Sequence, residues 1–158
     1  VQKLRAESCA IMTSNQTVLA DDASLNVRID DFYDDDQPLR IVVDSSRKCS
    51  GNEKIFQLPG ETMIHSERVN QSLFEHLGSM EINNVLVESG PRMNGALLES
   101  DLIDELIIYM SPCILGSDAK DMFDFPAIEK LSDRYSFAVH HLDKIGADMK
   151  ITLRRESV

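Results

Sequence analysis

The run with the most obvious chemistry for a small anionic ligand is Val85-Leu86-Val87-Glu88-Ser89-Gly90-Pro91-Arg92-Met93-Asn94-Gly95-Ala96. An apolar stretch suited to a buried strand meets a glycine turn, and Pro91 is placed to open a helix as its first residue. A helix starting there leaves its first N–H groups without partners and aims the positive end of its dipole at the strand's carboxyl edge. A pyrophosphate fits such a place, with Gly90 and Gly95 removing side chains where the ligand backbone approaches. The alternative is a plain strand–helix connection whose glycines serve packing. The spacing is not the G-x-G-x-x-G fingerprint, which speaks against a Rossmann domain. Glu88 ends the strand at the edge where open α/β sheets bind ligands. Its carboxylate can accept hydrogen bonds from a substrate's hydroxyl or amino groups, or act as a helix-start or salt-bridge carboxylate.

Other polar residues invite the same double reading. Arg5 and Arg28 flank a stretch carrying Asp21 and Asp22. Arginine forks suit phosphate and acids suit ribose hydroxyls, although each residue taken singly also reads as a surface charge. Ser45 with Arg47 and Lys48, just after an apolar strand, either receives the extra 2′-phosphate that separates NADP from NAD or forms a polar turn. His65, His76, His140 and His141 show no mutual metal spacing, and Cys9, Cys49 and Cys113 form neither C-x-x-C nor an even disulfide framework. No metal site is expected, and the thiols read as free in a reducing compartment.

The elements that must carry these residues follow from periodicity. Val1 to Glu7 reads as the middle of a helix, and with no initiator Met the chain reads as part of something longer. Ala10–Thr13 and Leu39–Asp44 are apolar and β-branched, as buried parallel strands are. Thr17–Arg28 has no clean period and reads as an ordered loop, and the acidic run Asp30–Asp36 as a solvated one. Lys54–Leu58 and Glu61–His65 read as short strands around the Pro59-Gly60 turn. Leu73, Phe74, Leu77 and Met80 fall at helical spacing, giving a helix over about 70–80. Asn84–Glu88 is a strand, followed by a helix through Ala96, Leu97 and Leu98. Leu106–Met110 reads as a central strand, and Ser136–Leu142 with Met149–Leu153 as a closing antiparallel pair. The sum is one α/β domain with a mainly parallel sheet, an antiparallel C-terminal edge and flanking helices.

Composition bounds the partners. A net charge of -11 over 158 residues lacks the basic footprint of a protein that binds nucleic acid or an anionic membrane. No apolar run approaches a membrane span and no signal-peptide pattern opens the chain, so a cytoplasmic location is expected.

Three stretches together resemble the reductase half of the bifunctional riboflavin-biosynthesis deaminase–reductases. They are Leu4–Ser8 through Thr17–Asp22 to Leu25–Arg28, then Glu81–Pro91, then Gly95–Leu98 through Asp104–Tyr109 to Leu115–Ala119. The resemblance implies a dihydrofolate-reductase-like fold. It also implies NADPH-dependent reduction of the ribosyl group of 5-amino-6-(5-phosphoribosylamino)uracil to the ribityl form. Another pterin or pyrimidine substrate, or a non-catalytic nucleotide-binding domain, is the alternative. Carried onto this chain, Thr17, Asp21, Ser45 and the turn Gly90, Pro91, Arg92, Met93, Asn94, Gly95, Ala96 are implied cofactor contacts. Arg5, Leu25, Arg28 and Glu88 are implied substrate contacts; no catalytic proton donor is named. A homodimer or larger assembly, and a zinc-dependent deaminase domain ahead of Val1, are implied too. Two departures stand out: the strand and loop that normally open the domain are absent from residues 1–158, and the stretch between Glu67 and Arg68 is short.

Overall fold

The computed structural model describes residues 1–30 and 32–156, with the Asp35 side chain excepted; of the acidic run 30–36, Asp31 therefore lies outside the described residues. Four strands, β1 (Ala10–Ser14), β2 (Leu39–Val43), β3 (Thr62–His65) and β4 (Val85–Val87), form a parallel sheet in the order β3-β2-β1-β4. Three more, β5 (Glu105–Met110), β6 (Phe137–Ile145) and β7 (Asp148–Arg155), form an antiparallel sheet in the order β5-β7-β6. The helices are α1 (Gln2–Ala6), α2 (Asn15–Asp21), α3 (Lys54–Gln57), α4 (Gln71–Ser79) and α5 (Pro91–Glu99).

Alternation along β1 and β2 sends side chains into two separate cores, as a sheet covered on both faces requires. Ala10, Met12, Ile41 and Val43 face Leu73 and Leu77 of α4 and Met93 and Leu97 of α5. Ile11 and Val42 face Val18 of α2 and Ile55 of α3 on the opposite side. The amphipathic spacing of α4 is thus answered by the sheet, and Asn70 caps its start by accepting from the Leu73 N–H at 3.0 Å.

Two local expectations fail here. The stretch from Thr17 is not a loop at first: residues 15–21 wind into α2, begun by Ser14, whose Oγ accepts from the Thr17 N–H. Lys54–Gln57 is a single helical turn rather than a strand. Each of these helices is so short that one or two buried side chains anchor it, Asn15 and Val18 in α2 and Ile55 in α3. Two turns or fewer cannot display a period, and burial decides the outcome.

The expected parallel strands and antiparallel C-terminal strands are both present, as two sheets. Among the described residues β4 is bonded only to β1, and β5 only to β7, so each has one free edge. Between them lies a cleft of about 900 Å³, lined by Leu4, Phe74, Val85, Val87, Leu106 and Ile108 among others. β5, read from its apolar run as central, is an edge strand, with Tyr109 and Met110 about two-fifths exposed. Its sequence is that of a strand flanked on both sides.

Gly95 sits in the middle of α5, where its φ is ordinary, so conformational freedom does not explain it. A Cβ there would overlap the backbone carbonyl of Asp124. The 122–125 segment lies directly on the helix: the Asp124 N–H donates to Pro91 O at 3.0 Å and Asn94 Nδ2 donates to Met122 O at 3.0 Å. Replacing a mid-helix glycine by alanine normally gains about 1 kcal/mol, whereas overpacking against backbone costs roughly 1–3 kcal/mol. Gly95→Ala is therefore expected to lower stability in denaturant unfolding, and a net gain would show that the segment is not seated there.

Candidate functional site

Parallel register sets the carboxyl ends of β4, β1 and β2 side by side, with Met12 opposite Val87 and Ser14 opposite Val43. The first residue beyond β4 is Glu88, and every polar group it owns is engaged. Its N–H donates to Met12 O at 2.9 Å, and its carbonyl accepts from Thr13 Oγ1 at 2.7 Å. Its carboxylate accepts both arms of the Arg5 fork, from Nε and from Nη2, each at 2.7 Å. Arg5 Nη1 donates to Asn26 O at 3.0 Å. The pair is part-buried, with side chains 11% and 25% exposed. Bidentate geometry in such surroundings makes a strong charge-assisted contact. Three of the five Arg5 donors are engaged and two remain for a ligand.

Beyond Glu88 the chain turns through Ser89 and Gly90 into α5, with Pro91 in its first turn. Among the described residues the N–H groups of Ser89, Gly90, Arg92 and Met93 have no protein acceptor. A Cβ on Gly90 would meet nothing within 4 Å, so the approach to these amides is open. The Ser89 hydroxyl donates to Asn94 Oδ1 at 2.7 Å and thereby holds the turn closed. Space is open at Gly90, whereas the space at Gly95 is filled by the Asp124 carbonyl, so packing accounts for that glycine.

The remaining residues fall unevenly around this edge. Thr17 is half-buried in the first turn of α2, Asp21 is exposed at that helix's end, and Ser45 is exposed just past β2. Leu25 has its side chain 3% exposed and packed with Ile11, Val18, Val42 and Ile55, which leaves its backbone as the part that can meet a ligand. That backbone is left-handed, at φ 52°. Arg28 is exposed, and its N–H donates to Gln2 Oε1 at 2.6 Å, which places it beside α1. Among the described residues its guanidinium makes no ion pair. Ala96 and Met93 turn toward the core that holds α5, while Arg92 reaches toward Asp124 at 3.6 Å.

One constellation escaped the sequence reading. Asp44, 3% exposed, accepts from Asn15 Nδ2 at 2.6 Å, from the Lys48 N–H at 3.0 Å and from the Cys49 N–H at 2.9 Å. Burial pushes its pKa up, and those hydrogen bonds outweigh the push, leaving the carboxyl below its ordinary value and ionised near neutrality. Burial, and then the Asp44 charge, push the Cys49 thiol up to about 11, which leaves it unreactive as a nucleophile. Asn15 and Asp44 lie 29 positions apart; the only local hint was a charged residue placed directly after a buried strand.

The comparisons with known proteins agree over nearly the whole chain. The model of the RibD C-terminal domain family matches residues 1–151. The riboflavin biosynthesis protein RibD of Escherichia coli is 38% identical over an alignment covering 97% of this chain and 50% of that protein. The alignment runs over 185 positions against 158 residues here, so at least 27 positions of the relative (185 − 158) have no counterpart. The 5-amino-6-(5-phosphoribosylamino)uracil reductase of Buchnera aphidicola subsp. Acyrthosiphon pisum is 32% identical, covering all of this chain and 92% of that protein. Among solved structures, Acinetobacter baumannii RibD superposes with a TM-score of 0.88 at 27% identity, covering 98% of this chain and 49% of that one. The chain spans about half the length of the first curated relatives it matches. It belongs to the RibD C-terminal domain family.

Proposed function

We propose that this domain is the reductase of a riboflavin-biosynthesis protein, using NADPH to convert the ribosyl group of 5-amino-6-(5-phosphoribosylamino)uracil to its ribityl form. The observation that carries the reading is the free amide turn at Ser89–Met93, set directly against the Arg5–Glu88 pair at the carboxyl edge of the sheet. Relatives bearing the reductase name, one of them matched over 92% of its length, support the same reaction.

The residues fit a dinucleotide. Four N–H groups without protein acceptors lie in one open turn at a helix start, which suits a diphosphate, and Ser45 extends the edge toward an adenosine ribose. The cofactor, when bound, supplies hydride. Its acceptor would be C1′ of the opened sugar, as the carbon of a C=N bond whose nitrogen would take its proton from solvent. The chain's own part is placement and charge complementarity. Glu88 offers its carboxylate to the substrate's hydroxyl or amino hydrogens without moving, because Arg5 fixes it. The spare donors of Arg5, with Arg28 beside α1, face the sugar-phosphate. Thr17, Asp21 and the 90–96 turn line the cofactor's path, with Gly95 and Ala96 acting through the helix rather than by contact.

The same reading accounts for the split sheet. A strand from outside residues 1–158 fits the cleft between β4 and β5 and would join the two sheets into one. A deaminase domain belongs to the same longer protein, in keeping with the half coverage of the RibD relatives. A homodimer or larger assembly is supported by Met110, Val139, Leu142 and Met149, exposed apolar residues that share one face of the second sheet. A cytoplasmic location accords with such a metabolic role, and no helix among the described residues is long and apolar enough to cross a membrane.

The natural full-length protein is expected to oxidise NADPH when given the phosphoribosylamino-pyrimidine and not when given dihydrofolate, as followed by loss of nicotinamide absorbance. Oxidation with dihydrofolate instead would move the protein to another substrate class. Residues 1–158 alone are expected to be inactive, because two open sheet edges leave backbone groups unpaired; normal turnover by that fragment would refute the strand. Glu88→Gln is expected to raise the KM for the pyrimidine with little change in the KM for NADPH. Arg5→Met leaves the Glu88 carboxylate without its partner and is expected to cost roughly 3 kcal/mol in unfolding measurements.

A further inference from the structure

The 24–28 segment reaches the candidate site without a helix or strand of its own. Among the described residues its backbone makes no bond to another backbone. Side chains from elsewhere hold it instead, one residue at a time. Arg5 Nη1 donates to Asn26 O at 3.0 Å. Both backbone groups of Val27 meet the Gln37 amide: the Val27 N–H donates to Gln37 Oε1 at 2.8 Å, and Gln37 Nε2 donates to Val27 O at 3.2 Å. The Arg28 N–H donates to Gln2 Oε1 at 2.6 Å. Val27 is buried, so its peptide groups need protein partners. The Gln37 amide supplies the donor and the acceptor that a neighbouring strand would otherwise offer.

Gln37 is itself fixed from two directions. It precedes Pro38, which favours the extended conformation it takes, φ -61° and ψ 133°. Its Cβ lies against Gly60, where an added Cβ would come within 2.8 Å of it. Gly60 is left-handed at φ 91°, so both conformation and space require glycine there. Arg40, 1% exposed, holds that turn: its Nη2 donates to Leu58 O at 3.0 Å and to Gly60 O at 2.7 Å. Among the described residues its guanidinium has no other acceptor. A buried guanidinium is costly to place, and its bonds go to the turn on which Gln37 rests. What this support delivers is a cation on a fixed backbone. Arg28 is exposed, and among the described residues it lies outside every ion pair. Holding its backbone before a ligand arrives removes part of the ordering cost of binding.

We infer that Gln37 and Gln2 are positioning residues that clamp the backbone at Val27 and Arg28, and so present the Arg28 guanidinium to the phosphate monoester of the sugar substrate. This rests on the reading of the domain as a reductase of a phosphorylated ribosylamino-pyrimidine. Neither glutamine touches the ligand. Each acts through Arg28, so its removal weakens recognition of the phosphate and spares the nicotinamide end of the reaction.

The test is a double-mutant cycle in the natural full-length protein, read as KM and kcat for the phosphoribosylamino-pyrimidine and for the same compound without its phosphate. The wild type is expected to favour the phosphorylated compound by roughly tenfold or more in kcat/KM, as a charge-assisted contact allows. Gln37→Met keeps the stem against Gly60 and removes both amide bonds. It is expected to raise the KM for the phosphorylated compound roughly tenfold, with kcat and the KM values for NADPH and the dephosphorylated compound within about threefold. Gln37→Met/Arg28→Met is expected to be no worse than Arg28→Met alone, because the clamp acts only through that arginine. Losses that simply add, or an equal rise in KM for both pyrimidines, would mean a merely structural role and overturn the inference. Gln2→Met lies in the first turn of α1, and the same cycle run with it decides the matter if Gln37→Met fails to fold. A wild type that reduces both pyrimidines equally well would overturn the clamp while leaving the reductase reading intact. Absence of NADPH oxidation with either compound would overturn the two together.

Discussion

Glu88 is the point at which the parts of this domain are tied to one another. Its backbone is bonded to β1 on both sides, through Met12 O and Thr13 Oγ1, and its carboxylate holds the Arg5 fork. A part-buried carboxylate needs a partner, and the partner comes from α1, so the helix that begins the chain is fastened to the end of β4 by charge. Arg5 then reaches Asn26 O and brings the 24–28 segment to the same edge. β1 accepts the Glu88 N–H, and the chain then turns through Ser89 and Gly90 into α5. The amides of the following turn are left without ladder partners. The open donors of the site are thus a consequence of how the strand ends.

The same edge is served by two cores that do not mix. Alternate residues of β1 and β2 pack under α4 and α5 on one face and under α2 and α3 on the other. The turns after β2 and β4 are short connections from strands that cannot shift without disturbing both cores. Rigidity at Glu88 and at Asp44 has this common origin.

The second sheet is organised differently. β6 and β7 pair over nearly their whole length, with one irregularity between Val139 and His141, and β5 completes the group. Few of its side chains are buried, in contrast to the parallel sheet; Thr152 is the one that is. Apolar residues on β5 face the cleft toward β4, so the composition of that strand matches a neighbour on both sides better than the one it has.

Much of this was legible in the chain itself. The two-sided apolar runs of β1 and β2, the spacing of α4, the strand–glycine–proline–helix order at Glu88–Pro91 and the closing hairpin all follow from local pattern, because each is long enough to show its period or carries its own turn chemistry. The types of Arg5, Glu88 and Ser45, with the family resemblance, propose them as site residues without the contacts each one makes. Tertiary structure alone decided the rest. One- and two-turn helices such as α3 and α2 have too few residues to express a period, and only burial of Ile55 and Val18 selects them. Leu25 was drawn into the core, Gly95 was claimed by a carbonyl from residue 124, and Asn15 met Asp44 across 29 positions. Those contacts join residues distant in sequence, and their energies exist only after the strands have been laid side by side.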